Sequence, residues 1–347
     1  MSPPPSNVDA PTIGPSSPDP ARVGPLRIGV IGAGHFGRFH ALKLATAPRA
    51  TLSGIYDRNP ERARTVAWEA GAPTRELAEL IAQSDAVVIA APAAAHHELA
   101  AAALRAGRHV LVEKPIAATL AEADDLAALA AARGLVLQVG HLERFSAAHG
   151  ALSGRMGAAL YIEATRIAPF KPRGTDVSVI LDLMIHDLDL ILTLTDSPID
   201  SVDAVGAAVA SAHEDIANAR IRFASGAVAT ITASRVSART ERRMRIFAAD
   251  GYLAVDFANR KMTVIRRGQG QKLPFVDGFG IEEVSWQDHD ALEAEHAAFI
   301  AAILDGVPVA VDAAAGRRAL AAALAVGDAM AASRARMQQS GLIAPPA

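Results

Sequence analysis

The first half of the chain alternates short apolar runs with stretches of helical periodicity. The apolar runs have the length of strands and occupy residues 26–31, 51–56, 86–91, 109–112 and 135–139. Helical patterns run through about residue 44 and over residues 61–70, 74–83, 96–106 and 120–133. Strands that alternate with helices of about ten or more residues are typical of parallel strands joined by crossovers. The pattern therefore predicts a doubly wound α/β sheet.

The second half has a different pattern. After a strand at 160–167 comes one long helical stretch at 177–194, which ends before Pro198. Strand-like runs follow at 202–211, 217–223, 227–234, 244–249, 253–257 and 262–266, and Ala-rich helical stretches at 290–304 and 312–337 close the chain. This order predicts a mostly antiparallel sheet with few crossover helices. We expect the small side chains of the last helix to let it pack closely on another domain or subunit.

These patterns divide the chain into a tail at 1–25, a parallel α/β domain at 26–145 and a second α/β domain at 146–343. The length of 347 residues fits two domains. The tail holds eight of the 20 prolines, and proline cannot donate a backbone hydrogen bond, so we expect the tail to be disordered. It lacks the basic and apolar regions of a secretory signal.

Composition narrows the class of protein. With no cysteine, the chain has no disulfide framework, thiolate metal site or cysteine nucleophile. The net charge is −3 and the basic residues are interspersed with acidic ones, so the sequence does not indicate a basic surface for binding nucleic acid. No run approaches about 18 uncharged apolar residues, so no membrane span is predicted. We expect a soluble protein of the cytoplasm.

A glycine-rich turn joins the first predicted strand to the first helix. Gly32 permits a tight turn, Gly34 lets a pyrophosphate approach the backbone, and Gly37 lets helix and strand pack closely. Asp57 ends the second strand 20 positions after Gly37, where a carboxylate accepts hydrogen bonds from ribose hydroxyls. The context favours a dinucleotide site over an ordinary glycine turn. Asp57 favours NAD, although Arg58 beside it leaves NADP open.

Candidate catalytic residues occur in two places. Lys114 follows the strand at 109–112, near the strand ends where ligands collect, and its ammonium can hold a hydroxyl and stabilise a developing alkoxide. Asp182 and His186 are four residues apart in the long helical stretch, on one face. An imidazole suits taking a proton from an alcohol, and the carboxylate would orient the ring and favour its protonated form. The alternative for Lys114 is an ordinary surface lysine, and the alternative for Asp182 and His186 is a solvated polar face of the helix.

Other histidines carry weaker signals. His35 and His40 fall in the helix after the glycine turn, and His289 and His296 are expected on a solvated helix. Glu293 and His296 have the spacing of metal ligands, but no third ligand is nearby in sequence. We therefore assign no metal.

A basic segment precedes the helix that carries Asp182. Arg166, Lys171 and Arg173 fall within eight positions, stiffened by Pro169 and Pro172. Arginine forks match phosphate oxygens, so this segment is a candidate site for a diphosphate. The alternative is an ordinary solvated loop.

Together these motifs resemble the Gfo/Idh/MocA family (glucose–fructose oxidoreductase/inositol dehydrogenase) over roughly residues 26–337. The resemblance rests on IGVIGAGHFG, Ala91-Pro92 followed by His96, AGRHVLVEKP, LDLMIHDLD and DALEAEHAAFIAAI. It implies a Rossmann domain, an α/β domain with an open sheet, and hydride transfer between a sugar or cyclitol hydroxyl and nicotinamide. It also implies dimers or tetramers formed through the sheet.

The resemblance assigns residues to roles. Lys114, Asp182 and His186 take the catalytic positions, and Arg144 would lie near the nicotinamide. The implied cofactor contacts are Gly32, Gly34, His35, Phe36, Gly37, Asp57, Arg58, Ala91, Pro92, His96, Glu113, Lys114 and Arg144. The substrate contacts that we expect are Lys114, Arg166, Arg173, Asp182 and His186.

A narrower resemblance concerns the substrate. GHLERF at 140–145 and DVSVILDLMIHD at 176–187 resemble the branch that oxidises the 3-hydroxyl of UDP-N-acetylglucosamine for lipid A or surface-polysaccharide synthesis. The chain departs from that branch at residues 146–148, where Ser-Ala-Ala replaces the usual Asn-Pro-Ala. An inositol or free-sugar dehydrogenase, which needs no diphosphate site, is the alternative. A second alternative is a non-catalytic NAD-binding regulator, which needs neither Lys114 nor His186.

Overall fold

A computed structural model describes residues 24–152, 154–171, 175, 177–274 and 276–344. Residues 1–23 of the predicted tail and Arg173 of the basic segment lie outside this part of the chain. The described residues form two sheets, one parallel and one mostly antiparallel. This architecture confirms the predicted α/β fold class.

The first sheet is parallel, with strand order β2-β1-β3-β4-β5. Its strands are β1 (Leu26–Ile31), β2 (Ala50–Tyr56), β3 (Ala86–Ile89), β4 (His109–Glu113) and β5 (Leu137–Gly140). The helices that connect them are α1 (His35–Leu44), α2 (Pro60–Ala70), α3 (Leu77–Gln83), α4 (His96–Arg105) and α5 (Leu120–Ala132). Every residue of β3 is buried, as expected for a parallel sheet covered on both faces. The strand order reverses beside β1, which creates a crevice at the carboxyl ends of β1 and β3.

Local signals fix where these helices begin. The Asn59 side chain accepts hydrogen bonds from the backbone of Glu61 and Arg62 at the start of α2, and Pro60 opens that helix. Thr119 and Glu122 form a capping box at the start of α5. The chain therefore leaves each strand end and enters the next helix in a defined direction.

The second sheet has nine strands in the order β13-β14-β12-β11-β10-β6-β9-β8-β7. They are β6 (Ala159–Ile167), β7 (Ile199–Ala207), β8 (Ile216–Phe223), β9 (Val228–Ser234), β10 (Glu241–Ala248), β11 (Gly251–Asp256), β12 (Lys261–Arg267), β13 (Gln271–Lys272) and β14 (Phe279–Ser285). Neighbouring strands are antiparallel except β6 and β9, which run parallel. The helices are α6 (Ala147–Leu152), α7 (Ile185–Thr195), α8 (Ala291–Leu304) and α9 (Ala313–Gln339).

One face of this sheet is covered and the other is open. Ala219 and Ile221 of β8 are buried, whereas Arg220 and Arg222 between and beyond them are exposed. The covered face packs on α7 and α9. At its other end α9 packs on α5 and β5, so closely that a Cβ at Gly316 would lie 2.6 Å from Val139 Cγ2. The last helix therefore bridges the two sheets.

Three details differ from the sequence prediction. The stretch predicted as one helix begins with a π-helical turn, Ile180–Met184, before α7. The strand expected at 202–211 ends at Ala207, because backbone N–H groups of residues 209–211 donate to the Asp215 side chain instead of a neighbouring strand. Strands β13 and β14 were not predicted, because β13 has only two residues and Glu282 and Glu283 interrupt the apolar alternation of β14.

Within the described ranges, no helix is both long enough and apolar enough to cross a bilayer.

Candidate active site

A cavity of about 1170 Å³ opens where the glycine turn, the end of β4 and the start of α7 meet. We call it the active-site cavity. The predicted site residues that line it are Gly32, Gly34, His35, Phe36, Asp57, Arg58, Ala91, Pro92, Glu113, Lys114, Arg166, Asp182 and His186. Gly37, His96 and Arg144, also predicted, are not part of its wall.

The glycine turn has the geometry that a pyrophosphate site requires. Gly32 adopts a φ of 98°, and a Cβ on Gly37 would lie 1.8 Å from the Gly32 carbonyl oxygen. A Cβ on Gly34 would instead meet nothing within 4 Å. Gly34 precedes the first turn of α1, which contains no acidic residue, so the backbone N–H groups there are open to an anion.

Asp57 is held beside the glycine turn. Its Oδ2 accepts a hydrogen bond from the Ala33 N–H at 2.7 Å and its Oδ1 one from the Asn59 N–H at 2.8 Å. Arg62, which sequence analysis did not single out, approaches Oδ2 at 3.8 Å. Each carboxylate oxygen keeps a lone pair for a hydroxyl, because a carboxylate offers about four acceptor positions.

Lys114 reaches from the end of β4 to the π-helical turn that precedes α7. Its Nζ donates hydrogen bonds to the backbone oxygens of Leu181 at 3.2 Å and Asp182 at 2.7 Å. Asp182 Oδ1 lies 3.9 Å from the same nitrogen. Burial lowers the pKa of Lys114, although Asp182 and Glu113 oppose this change. The lysine therefore lies inside the cavity wall, and the surface-lysine interpretation is wrong.

His186 lines the cavity with Asp182, but the expected pairing of the two does not occur. The Asp182 carboxylate faces cations: Lys114 on Oδ1 and Arg235 on Oδ2. The His186 Nδ1 is buried and has no hydrogen-bond partner among the described residues. Burial, with the positive charges of Lys114 and Arg166, holds the pKa of His186 well below its usual value of 6.5. The expectation of a protonated imidazole is therefore wrong, and the ring is neutral at neutral pH.

Three predicted ligand-binding residues have their polar atoms engaged by the protein. Arg166 forms a fork with Asp187, at 2.8 and 2.9 Å, and contacts Glu143 at 3.2 Å. Arg144 forms a similar fork with Asp189, at 2.6 and 2.8 Å. These pairs make both arginines parts of the framework.

His96 is likewise occupied. Its ring nitrogens lie 2.7 Å from the Pro115 oxygen and 2.8 Å from the Ala91 oxygen. The ring therefore ties the end of β3 to the turn that carries Lys114. It can position the cofactor site without contacting a ligand.

A buried polar cluster lies behind the cavity. His296, expected on a solvated face, is 2% exposed and lies 2.8 Å from the ring of His40. His40 in turn contacts Glu113 Oε1 at 2.9 Å. Potential ligand atoms of His40, Glu113 and Glu295 lie within 4.8 Å of one another. Burial and the charge of Glu113 hold the pKa of Glu295 well above its usual value, which disfavours the carboxylate form that a metal ligand requires.

Two further cations of the cavity wall are Lys171 and Arg235. Lys171 belongs to the predicted basic segment and is exposed. Arg235 directly follows β9 and was not singled out. The sequence offered little reason to select it, because one arginine at the end of a strand does not reveal which strand lies next to it in the sheet. In the folded protein its Nη1 lies 3.9 Å from Asp182 Oδ2, in the π-helical turn before α7.

The fold and the cavity define a dinucleotide-dependent oxidoreductase: a Rossmann crevice leads directly to a lysine, a carboxylate and a neutral imidazole. Two family models match the chain. Residues 26–141 match the oxidoreductase family, NAD-binding Rossmann fold, and residues 148–254 match the GFO/IDH/MocA C-terminal domain. The chain therefore belongs to the Gfo/Idh/MocA family, and its cofactor is NAD.

Individual relatives extend this result. The chain is 45% identical to a UDP-N-acetylglucosamine 3-dehydrogenase of Acidithiobacillus ferrooxidans, covering 87% of this chain and 96% of that protein. A solved structure of that enzyme superimposes with a TM-score of 0.83, covering 88% of this chain and 98% of that chain. A myo-inositol 2-dehydrogenase of Thermotoga maritima is 28% identical, covering 85% of this chain and 93% of the relative.

Proposed function

We propose that this protein is an NAD-dependent dehydrogenase that oxidises the 3-hydroxyl of UDP-N-acetylglucosamine. The observation that carries the proposal is that one cavity joins the glycine turn to Lys114, Asp182 and His186. Its volume of about 1170 Å³ exceeds the roughly 300–1000 Å³ of a pocket for one small ligand. Identity of 45% over most of both chains to a UDP-N-acetylglucosamine 3-dehydrogenase supports this substrate over inositol.

The chain's residues fit the cofactor. The open space at Gly34 and the N–H groups of α1 suit the pyrophosphate. The Asp57 carboxylate suits the ribose hydroxyls and repels a 2′-phosphate, although Arg58 and Arg62 beside it moderate that repulsion. When bound, NAD supplies the acceptor for the hydride.

The catalytic roles follow from charge. His186 is neutral and can accept the hydroxyl proton at Nε2, because its Nδ1 is sealed within the protein. The Lys114 ammonium stabilises negative charge that develops on the same oxygen. Asp182 lies 3.9 Å from Lys114 Nζ and keeps that cation at the reacting end of the cavity.

Recognition of the diphosphate falls to Lys171. Three of the five N–H groups of Arg166 are engaged by Asp187 and Glu143, whereas Lys171 is exposed at the cavity wall. Lys171→Ala should raise the KM for UDP-N-acetylglucosamine by about 10- to 100-fold, since a charge-assisted hydrogen bond contributes about 1.5–3 kcal/mol. Lys272→Ala, which removes an exposed lysine of β13, is the matched control and should leave the KM unchanged.

The deciding experiment measures NADH formation with NAD and a panel of UDP-N-acetylglucosamine, UDP-glucose and myo-inositol. The fastest oxidation should occur with UDP-N-acetylglucosamine, and borodeuteride trapping of the product should place deuterium at C3. Faster oxidation of myo-inositol would replace this assignment with the cyclitol alternative. NAD binding without turnover of any of these sugars would favour the alternative of a non-catalytic NAD-binding regulator.

We further propose that the protein acts in the cytoplasm in lipid A or surface-polysaccharide synthesis, as a dimer or tetramer built through the open face of the second sheet. Aromatic side chains meet on that face, with ring centroids 5.6 Å apart for Tyr161 and Phe247 and 4.9 Å apart for Phe247 and Tyr252. Light scattering at micromolar concentration should show an oligomer, and a monomer would contradict this part of the proposal.

A further inference from the structure

Arg235 faces the catalytic carboxylate from the side opposite Lys114. Its side chain is buried, with a relative exposure of 5%, yet it lines the active-site cavity. Its Nη1 lies 3.9 Å from Asp182 Oδ2, and Lys114 Nζ lies 3.9 Å from Asp182 Oδ1. The Asp182 carboxylate therefore has one cation beside each oxygen.

The Arg235 guanidinium is itself fixed from behind. Its Nε donates a hydrogen bond to Asp215 Oδ1 at 2.8 Å, and its Nη2 donates to Ser211 Oγ at 3.0 Å. The Arg235 backbone N–H also donates to the Asp215 carbonyl oxygen at 2.9 Å. A buried guanidinium needs such partners to offset its lost hydration. Here they also set the direction in which Nη1 points.

Asp215 is a preorganised anion. Its Oδ2 accepts hydrogen bonds from the N–H groups of Val209, Ala210 and Ser211 at 2.8, 2.6 and 2.9 Å. Burial alone would raise the pKa of Asp215, but the Ala210 N–H and Arg235 outweigh it and hold that pKa far below its usual value. The carboxylate therefore stays charged and in place.

The segment between β7 and β8, which contains Asp215, also anchors the backbone that bears Asp182. The Glu214 carbonyl oxygen accepts a hydrogen bond from the Val179 N–H at 2.9 Å, just before the π-helical turn that carries Asp182. The segment between β7 and β8 thus fixes both the backbone that bears Asp182 and the cation that faces it.

We propose that Arg235 is a positioning residue for Asp182, which it holds beside Lys114, and that Asp215 is the fixed anchor of its guanidinium. This positioning role of Arg235 rests on the proposed function only in that a substrate must be turned over to measure its effect. It assigns no contact between Arg235 and the reacting atoms. Its effect must therefore pass through Asp182.

A double-mutant cycle between Arg235→Gln and Asp182→Asn tests this dependence. Arg235→Gln alone should lower kcat by about 10- to 100-fold, as expected for a misplaced catalytic group, while NAD affinity changes by less than about 2-fold. Arg235→Lys, which keeps the charge, should retain more of the activity. In the Asp182→Asn background, Arg235→Gln should lower kcat by less than about 3-fold.

Ser211→Ala keeps the test decisive if Arg235→Gln does not fold. It removes one acceptor of the guanidinium and one donor to Asp215 Oδ1, while Arg235 Nε keeps its contact with that oxygen. It should lower kcat by about 3-fold in the wild-type background, as expected for the loss of one hydrogen bond, and leave kcat unchanged in Asp182→Asn. Arg133→Gln, which removes an exposed cation at the end of α5, is the control and should not alter kcat.

The outcomes separate this inference from the proposed function. If the wild type turns over another sugar and not UDP-N-acetylglucosamine, the proposed function fails and the cycle is measured with that sugar. If the losses from Arg235→Gln, or from Ser211→Ala, multiply with that from Asp182→Asn, or if neither variant lowers kcat, the positioning role of Arg235 is wrong.

Discussion

Glu295 should make the folded protein less stable as the pH rises, and Glu295→Gln should remove this effect. The side chain is 0% exposed, and neither carboxylate oxygen has a hydrogen-bond partner within the described chain. Burial and the neighbouring Glu113 raise the pKa of Glu295 in the folded protein well above its usual value of 4.5. In the unfolded chain the same group ionises near that usual value.

The sign follows from proton counts. Above about pH 4.5 the folded protein holds a proton on Glu295 that the unfolded chain releases, so its contribution to stability falls as the pH rises toward the folded pKa. The slope is about 1.4 kcal/mol per pH unit across that window. Glutamine has nearly the same shape and no titration. The variant should therefore be more stable than the wild type at neutral pH, by a margin that grows with pH.

The assay is urea or thermal unfolding of both proteins between about pH 5 and pH 8. The readout is the difference between them, because other groups also titrate. Burial lowers the pKa values of His186 and His296, so their contribution is complete above the usual value of 6.5 and is lost as the pH falls below it. This opposes the trend from Glu295 in the wild type and cancels in the difference.

Glu293→Gln is the matched control, since it removes an exposed carboxylate from the same helix. Its effect on stability should stay within about 0.5 kcal/mol at every pH. A stability difference between Glu295→Gln and the wild type that is constant with pH would refute the reasoning. So would a wild type that is the more stable of the two at pH 8.

Further predictions concern the cofactor and the chemistry. Asp57→Ala should weaken NAD binding in calorimetry by about 1.5–3 kcal/mol and relax discrimination against NADP; unchanged affinities would show that Asp57 does not contact the ribose. Gly34→Ala should keep the wild-type melting temperature yet bind NAD poorly, because its Cβ meets open space that the pyrophosphate needs. Lys114→Ala and His186→Ala should each lower kcat by about 10²–10⁴-fold with little change in NAD affinity, and Asp182→Asn should be milder. Wild-type turnover by the His186 variant would remove the imidazole from the mechanism.

The parallel sheet was readable from sequence because its strands are buried on both faces. Continuous apolar runs such as 86–89 stand out from the helices around them, and β3 falls inside the predicted run. Edge strands lack this signal. In β14, Glu282 and Glu283 face solvent between Ile281 and Val284, so the alternation that identifies a strand is interrupted.

The candidate site could be predicted only in part, because the sequence shows which charged residues are present but not which of them contact one another. The sequence motifs indicated that Lys114, Asp182 and His186 lie close together, and all three line one cavity. It did not show that Asp182 faces Lys114 and Arg235 instead of His186. Nor could spacing show that His296, on a helix far along the chain, would be buried against His40. Such pairings form only when the two sheets and the last helices pack.

The cations near α7 differ in the partners that they have within the protein. Arg166 and Arg144 each meet a carboxylate of α7, namely Asp187 and Asp189. Both carboxylates are nearly fully buried, so removing either arginine would leave a buried charge unpaired and destabilise the fold. A paired buried arginine fixes geometry, whereas a cation that binds a phosphate must keep donors accessible to it. Lys171 is exposed at the cavity wall, so under the proposed function its loss should act on the KM, whereas loss of either arginine should act first on stability.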